Sequence, residues 1–207
     1  SSYRKRINSL FGSASLGWRH MLYLDATLRG DQSSTLPTGN NVYVYPSFSG
    51  SFVFSELLHA AGKMPYGKLR MSWAQVGSDT DPYQLGLVYT KSKYTYPGYT
   101  IGYINNSTIP NKDLKPTKTN SFEMGLETKF LNNRLGLDIT YYAQKSKNQI
   151  MGMATSWTSG YTYRLINAGE IDNKGIEITL NTRPIQTRDF SWDLNLNFSK
   201  NSNKVVR

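Results

Sequence analysis

Hydrophobic and polar residues alternate one by one over eight stretches of the chain. The alternation is clearest at residues 174–182, where Ile176 and Ile178 fall on one side and Glu177 and Thr179 on the other. This period of two is typical of a β-strand with one apolar and one polar face. The pattern predicts strands at residues 9–18, 21–29, 43–55, 68–77, 120–130, 134–145, 174–182 and 190–200.

Charged residues follow the same alternation. When each strand is phased on its apolar residues, ten charged side chains fall on the polar faces. We therefore expect one face of the sheet to avoid charge altogether. The ten are Asp25, Arg29, Lys68, Arg70, Glu123, Glu127, Lys129, Asp138, Glu177 and Asp193.

The connections between the predicted strands are long at one end of the sheet and shorter at the other. Long loops are predicted at residues 30–42, 78–118 and 146–167. Long outer loops and short inner turns are typical of bacterial outer-membrane barrels, whose strands of about 9–11 residues cross the bilayer at a tilt. The pattern predicts an all-β, antiparallel, up-and-down transmembrane β-barrel segment. A water-soluble β-sandwich is the alternative, but it would have shorter strands and more evenly spaced turns.

Aromatic residues support a membrane boundary near the shorter turns. At that end of the apolar faces, an interfacial girdle is predicted from Trp18, Phe54, Phe130, Phe190 and Trp192.

Composition agrees with this class and narrows the function. The 207 residues include 15 Tyr and 17 Gly, which favours β structure, and no apolar run is long enough for a transmembrane helix. The formal net charge of +10 is scattered along the chain, so no nucleic-acid partner is expected. No His, Asp or Glu spacing indicates a metal ligand set or a catalytic group. We therefore expect no metal, no cofactor and no enzyme activity.

Five motifs, in the same order along the chain, resemble those of the SusC/RagA-like TonB-dependent transporters of Bacteroidetes outer membranes. The segment NAGEIDNKGIEITLN at 167–181 is similar to the family pattern NAG-x-x-x-NKG-x-E. The other four are YLDATLRGDQSS at 23–34, LRMSWAQVGS at 69–78, NKDLKPTKTNSFEMGLE at 111–127 and FLNNRLGLDITYYAQKSKNQI at 130–150.

The resemblance implies a larger protein than this chain. Members of the family have a 22-stranded barrel and a plug domain, and they work with a SusD-like surface lipoprotein and the TonB complex. Residues 1–207 would then be a central slice of the barrel without the plug, embedded in outer-membrane lipid. The implied function is energised import of oligosaccharides or peptides across the cell outer membrane. The alternative is a structural or adhesive outer-membrane barrel, for example an independent eight-stranded one.

Aromatic residues in the two longest loops are the candidates for substrate binding. Their rings can stack on the apolar faces of sugars while their polar tips bind hydroxyl groups. The alternative is that they pack the loops against each other or against a partner. The candidates are Tyr94, Tyr96, Tyr99, Tyr103, Trp157, Tyr161 and Tyr163.

Two further sets of residues are assigned roles by face and by motif. The charged residues Arg70, Glu123, Glu127, Asp138 and Glu177 are expected to face the lumen, where they contact the plug or line the substrate path. A structural role in shaping a loop and the strand after it is expected for Asn167, Gly169, Asn173, Gly175 and Glu177.

Overall fold

The computed structural model describes residues 4–58, 66–87, 89–94, 97–104 and 107–206. Its main element is an eight-stranded antiparallel sheet in the order β1-β2-β3-β4-β8-β9-β12-β13, which confirms the predicted all-β, up-and-down architecture. These strands are β1 Ile7–Trp18, β2 Leu22–Ser33, β3 Val42–Phe52, β4 Tyr66–Ser78, β8 Thr117–Phe130, β9 Leu135–Lys147, β12 Glu170–Gln186 and β13 Ser191–Val205. The smaller elements are α1 Phe54–Leu58, β5 Tyr89–Lys91, β6 Gly102–Ile104, β7 Thr108–Ile109, β10 Ile150–Ala154, the 3₁₀ turn Trp157–Ser159 and β11 Tyr163–Asn167. Across these described ranges, no helix has the length and apolar character needed to cross a membrane.

The strand register places residues of one character on one side of the sheet. Residues that pair directly across an antiparallel ladder point to the same face. One such row joins Trp18, Leu22, Phe52, Leu69, Leu126, Ile139, Ile178 and Phe198, and the row beside it on the other face joins Gly17, Tyr23, Ser51, Arg70, Gly125, Thr140, Glu177 and Ser199. We call the first side the apolar face and the second the polar face.

No part of the described chain covers the apolar face. Leu16 is 69% exposed and Phe198 is 57% exposed, although both are large hydrophobic residues. Among the described residues the buried hydrophobic ones are Leu36, Tyr43 and Leu114, which lie at the long-loop end rather than between two sheets. The water-soluble sandwich is therefore excluded, because its core would lie on this face.

Short turns join strands at one end of the sheet. Arg19 and His20 take positive φ angles of 49° and 56° between β1 and β2. Between β8 and β9, the predicted turn at Asn132 and Asn133 is observed, with φ of 52° and 66°. Asn tolerates this left-handed region, which matches the twist of a hairpin. The long connections 34–41, 79–116 and 148–169 lie at the opposite end.

Several predicted boundaries are wrong at the long-loop end and near β3. The predicted loop 30–42 begins only after Ser33, and the predicted strand 174–182 extends to Glu170–Gln186. Phe54, expected at the end of β3, instead begins α1. Short strands interrupt the predicted loops 78–118 and 146–167. Alternation no longer marks these strand ends, because above a membrane both faces of a strand meet water.

The expectation that the apolar face carries no charge is also wrong. Its rows at the long-loop end hold eight charged residues, all beyond the last fully apolar row: Lys118, Lys145, Lys147, Glu170, Asp172, Lys174, Lys200 and Lys204. The rows that contain Leu126, Thr128 and Phe130 hold no charged residue, and we call them the uncharged band. The strands are longer than the band, so charge returns where they leave it.

The sheet is open at both edges within the described residues. The pairings of β1 are with β2, those of β13 are with β12, and no hydrogen bonds join β1 to β13. This excludes an eight-stranded barrel closed by these two strands.

Candidate functional site

A charged network on the polar face centres on Arg70. The Arg70 guanidinium donates two hydrogen bonds to the Asp138 carboxylate, at 2.9 and 2.8 Å, and a third to the Thr140 hydroxyl at 2.6 Å. To reach β9 from β4, its side chain crosses Gly125 of β8. A Cβ atom at that glycine would lie 2.7 Å from Arg70 Cζ. The glycine therefore provides the passage for a bidentate ion pair across three strands.

The other predicted polar-face carboxylates differ in how they are paired. Glu127 lies 3.6 Å from the ammonium group of Lys129. Glu123 and Glu177 are exposed, and no ion pair to either carboxylate occurs among the described residues. The register sets Glu123 one row from Arg70 and places Glu177 in the same row as Arg70. Arg70 and Asp138 thus neutralise each other, whereas Glu123 and Glu177 keep free negative charge.

The first motif residue, Asn167, holds two loops together. Its side-chain oxygen accepts a hydrogen bond from the Lys115 backbone N–H at 2.8 Å. Its amide group donates to the backbone carbonyls of Lys115, at 2.8 Å, and Asn148, at 3.1 Å. One side chain therefore joins the segment before β8 to the segment after β9.

The remaining motif residues lie at the start of β12. Gly169 has a φ of +87°, a conformation that side chains rarely tolerate. At Gly175 a Cβ atom would lie 2.7 Å from the Lys200 carbonyl oxygen. Asn173 pairs with Gln144 and Asn203 on the polar face. The geometry supports the structural role that the motif suggests for both glycines.

The two longest connections are paired with each other. Strand β7 of the first runs parallel to β11 of the second, with Thr108 opposite Tyr163. The Ser107 carbonyl accepts hydrogen bonds from the backbone N–H groups of Thr162 and Tyr163, at 2.8 and 3.0 Å. The loops therefore form one layer at the end of the sheet.

Most of the predicted aromatic candidates are exposed in this layer. Tyr94 is 84% exposed and Trp157, on the 3₁₀ turn, is 82% exposed. Tyr99, Tyr103 and Tyr163 are also exposed, Tyr161 is half-buried, and Tyr96 lies outside the described residues. Exposed rings are free to contact a ligand or a partner, so the assignment of these residues remains a prediction.

A small core and a half-buried carboxylate fix the base of the loops. Leu114, Leu36 and Tyr43 are buried together. Beside them, Asp79 accepts hydrogen bonds from the Lys5 ammonium and the Ser33 hydroxyl, both at 2.5 Å, and from the Thr35 hydroxyl at 3.1 Å. Burial favours a higher pKa for Asp79, but these three donors outweigh it and hold the pKa below its usual value.

The Asp79 site and the contact made by Arg70 each join residues that lie far apart in the sequence. Asp79 pairs with Lys5, which is 74 residues away. Arg70 reaches Asp138, which is 68 residues away. No local spacing indicates either pair, although the strand order, once known, brings β4 within two strands of β9. Among the described residues no group of three or more His, Asp or Glu side chains is placed to hold a metal ion.

Comparisons with known proteins all relate this chain to the same family. Residues 1–205 match the family model described as TonB dependent receptor-like, beta-barrel. The chain is 28% identical over 204 residues to TonB-dependent receptor P26 of Formosa agariphila, covering 97% of this chain and 21% of that protein. It is 27% identical over 212 residues to TonB-dependent receptor SusC of Bacteroides thetaiotaomicron, covering 99% and 21%.

A solved structure shows the same fold. The chain superposes on a chain of the RagAB peptide transporter with a TM-score of 0.88 at 24% identity, covering 97% of this chain and 22% of that one. This chain therefore spans about a fifth of the length of the proteins it matches.

Proposed function

This chain belongs to the TonB-dependent receptor-like β-barrel family of the bacterial outer membrane, and we propose that it forms part of the barrel wall of a transporter that imports oligosaccharides or peptides. The observation that supports this proposal is the amphipathic sheet, in which the uncovered, uncharged band lies on one face and polar residues lie on the other. In a membrane barrel the band faces lipid and the polar face lines the lumen.

The polar face is suited to hold the plug expected elsewhere in the full-length protein. Arg70 is fully engaged with Asp138, so it stiffens the wall rather than offering free charge. Glu123 and Glu177 offer unpaired carboxylates to basic side chains of a plug. Plug displacement, energised by TonB, would have to break these contacts, so they are suited to a reversible gate.

The loop layer is suited to bind substrate and a surface partner. Its rings provide flat apolar area with polar tips, which fits both sugars and peptides. A SusD-like lipoprotein covering this end would share the same surface. Support for this pairing comes from the relative named SusC and from the structure described as the RagAB peptide transporter.

Uptake by the full-length protein tests the proposal. Cells with and without the gene are given a panel of labelled oligosaccharides and peptides, and each strain is tested again with the proton gradient collapsed. Import that requires both the gene and the gradient is expected for at least one substrate class. Gene-dependent adhesion with no gradient-dependent uptake would favour the structural barrel and overturn the proposal.

Loop variants test the assigned residues. The double variant Trp157→Ala and Tyr99→Ala is expected to reduce uptake at least about tenfold, if stacking of substrate on these rings contributes about as much as the roughly 1–3 kcal/mol of a nucleic-acid base on an aromatic ring. Trp192→Ala, on the apolar face near a short turn, is the matched control and should leave uptake unchanged. Equal losses in both would show a folding defect instead of lost recognition.

A further inference from the structure

A group of lysines lies on the outward, apolar side of the sheet at the long-loop end. We call it the outward lysine cluster, and its members are Lys118, Lys145, Lys147, Lys174, Lys200 and Lys204. All six side chains are exposed. With strands about 4.8 Å apart and residues about 3.3 Å apart, the cluster covers roughly 14 by 20 Å.

The cluster has a clear excess of positive charge. The two acidic residues within it are Glu170 and Asp172, and Lys145 contacts both, at 2.5 and 3.9 Å, while Lys147 lies 3.6 Å from Glu170. Six lysines and two acids leave a formal charge of +4. Within the described ranges the other four lysines make no ion pair with a carboxylate.

The strand register places two lysines of the cluster directly opposite each other, which favours binding of an external anion. Lys118 lies directly opposite Lys147 across the β8–β9 ladder. Like charges in that position destabilise a sheet. Glu170 is the carboxylate next to Lys147, but it is shared with Lys145, so this row keeps positive charge that a bound anion would neutralise.

The position of the cluster favours a lipid over a soluble anion. Lys200 lies in the same row as Ile176 and Tyr141, and the next row toward the short turns is Leu126, Ile139, Ile178 and Phe198. Lys200 therefore stands at the edge of the uncharged band, and the other lysines extend from it by up to about 20 Å toward the long loops, on the side where the headgroups of a membrane lie. The stems of such lysines can lie along apolar surface while their charged ends reach the interface.

The cluster is confined to one part of the wall. At the same height on β1–β4, the outward residues are uncharged, such as Leu10, Gly30, Val44 and Gln75. A uniform band of lysines would serve general solubility, whereas a local patch indicates a particular ligand. We propose that the outward lysine cluster binds the phosphate groups of an anionic glycolipid in the outer leaflet, whose acyl chains cover the apolar band below.

Binding of a defined lipid to the full-length protein in detergent tests the proposal. Native mass spectrometry is used to measure retention of lipid A carrying two phosphates, of the same lipid without phosphate, and of inorganic phosphate. A lysine near a charged membrane surface changes affinity roughly fivefold, and exposure and salt reduce this. The cluster variant carries Lys118→Gln, Lys174→Gln, Lys200→Gln and Lys204→Gln. It is therefore expected to bind phosphorylated lipid A at least about tenfold more weakly than the unmodified protein.

A matched control removes the same charge from the loop layer. It carries Lys91→Gln, Lys93→Gln, Lys112→Gln and Lys115→Gln, and it should bind lipid A as the unmodified protein does. The double variant Lys200→Gln and Lys204→Gln provides the comparison if the fourfold variant does not fold. Equal loss in cluster and control variants, equal retention of the lipid without phosphate, or retention of inorganic phosphate as tight as that of lipid A would each overturn the proposal.

Discussion

Placing an arginine at Ile178 tests whether the apolar face meets lipid. Ile178 lies directly opposite Ile139 and Phe198, in the first row of the uncharged band, and the next row toward the long loops contains Lys200 of β13. The first charged position on the same strand and face is Lys174, four residues away and thus about 13 Å along the strand. An arginine on the lipid side of a membrane barrel costs about 2–4 kcal/mol at the midplane and less toward the interface, so we use the lower end, about 2 kcal/mol, for this row. We expect the folding equilibrium constant to fall roughly 30-fold.

The adjacent residue provides the control. Thr179 pairs with Asp138 and Asn197 on the polar face, so an arginine there meets a carboxylate and water. Thr179→Arg loses the 2.9 Å hydrogen bond to Asn197, which is worth about 1 kcal/mol. The free energies of unfolding of these two variants should thus differ by at least about 1 kcal/mol.

Urea unfolding of the full-length protein in phosphatidylcholine vesicles measures this difference, with tryptophan fluorescence and gel migration as readouts. Ile178→Leu conserves volume and should change stability by less than about 1.5 kcal/mol. Ile178→Ser provides a milder polar change if the arginine variant does not insert. Equal destabilisation at positions 178 and 179 would refute the assignment of this face to lipid.

Three further changes probe other parts of the molecule. Gly175→Ala should destabilise the barrel by about 1–3 kcal/mol in the same urea titration, because the Lys200 carbonyl cannot move away from the new Cβ atom. Gly136→Ala, whose nearest contacts are at 3.8 Å, is the control and should cost less than about 1 kcal/mol. Asn167→Ala removes three hydrogen bonds and should raise the rate of loop cleavage in limited proteolysis roughly tenfold, while an unchanged rate would contradict its clamping role. Because the pKa of Asp79 is lowered below 3.8, its contribution is present above that pH and is lost as the pH falls through the folded-state pKa. Proteolysis should therefore accelerate below about pH 3.8 in the natural protein, and Asp79→Asn should abolish that step.

The sequence allowed the strands and their faces to be predicted because lipid imposes a strict rule on every second residue. Ile176, Ile178 and Leu180 alternate with Glu177 and Thr179, and the observed register places them as the pattern predicts. A turn at Asn132 and Asn133 could likewise be predicted, since two adjacent asparagines readily accept positive φ.

The rest depended on the arrangement of strands in space. No local sequence pattern groups Lys200 and Lys204 with Lys174; the register of β12 and β13 brings the three together on the outward side. The strand ends above the membrane were misjudged because both faces there meet water and the alternation loses its meaning. The contact from Lys5 to Asp79 joins distant parts of the chain, so no local pattern indicated it.

The parallel ladder between β7 and β11 has a consequence for engineering specificity. Two stretches more than fifty positions apart in sequence are fastened by main-chain bonds, and Asn167 adds a second fastening nearby. If only one of the two stretches were replaced by that of a relative, the other would lose the strand with which it pairs. Chimaeras that take these loops from a relative should therefore exchange both stretches together.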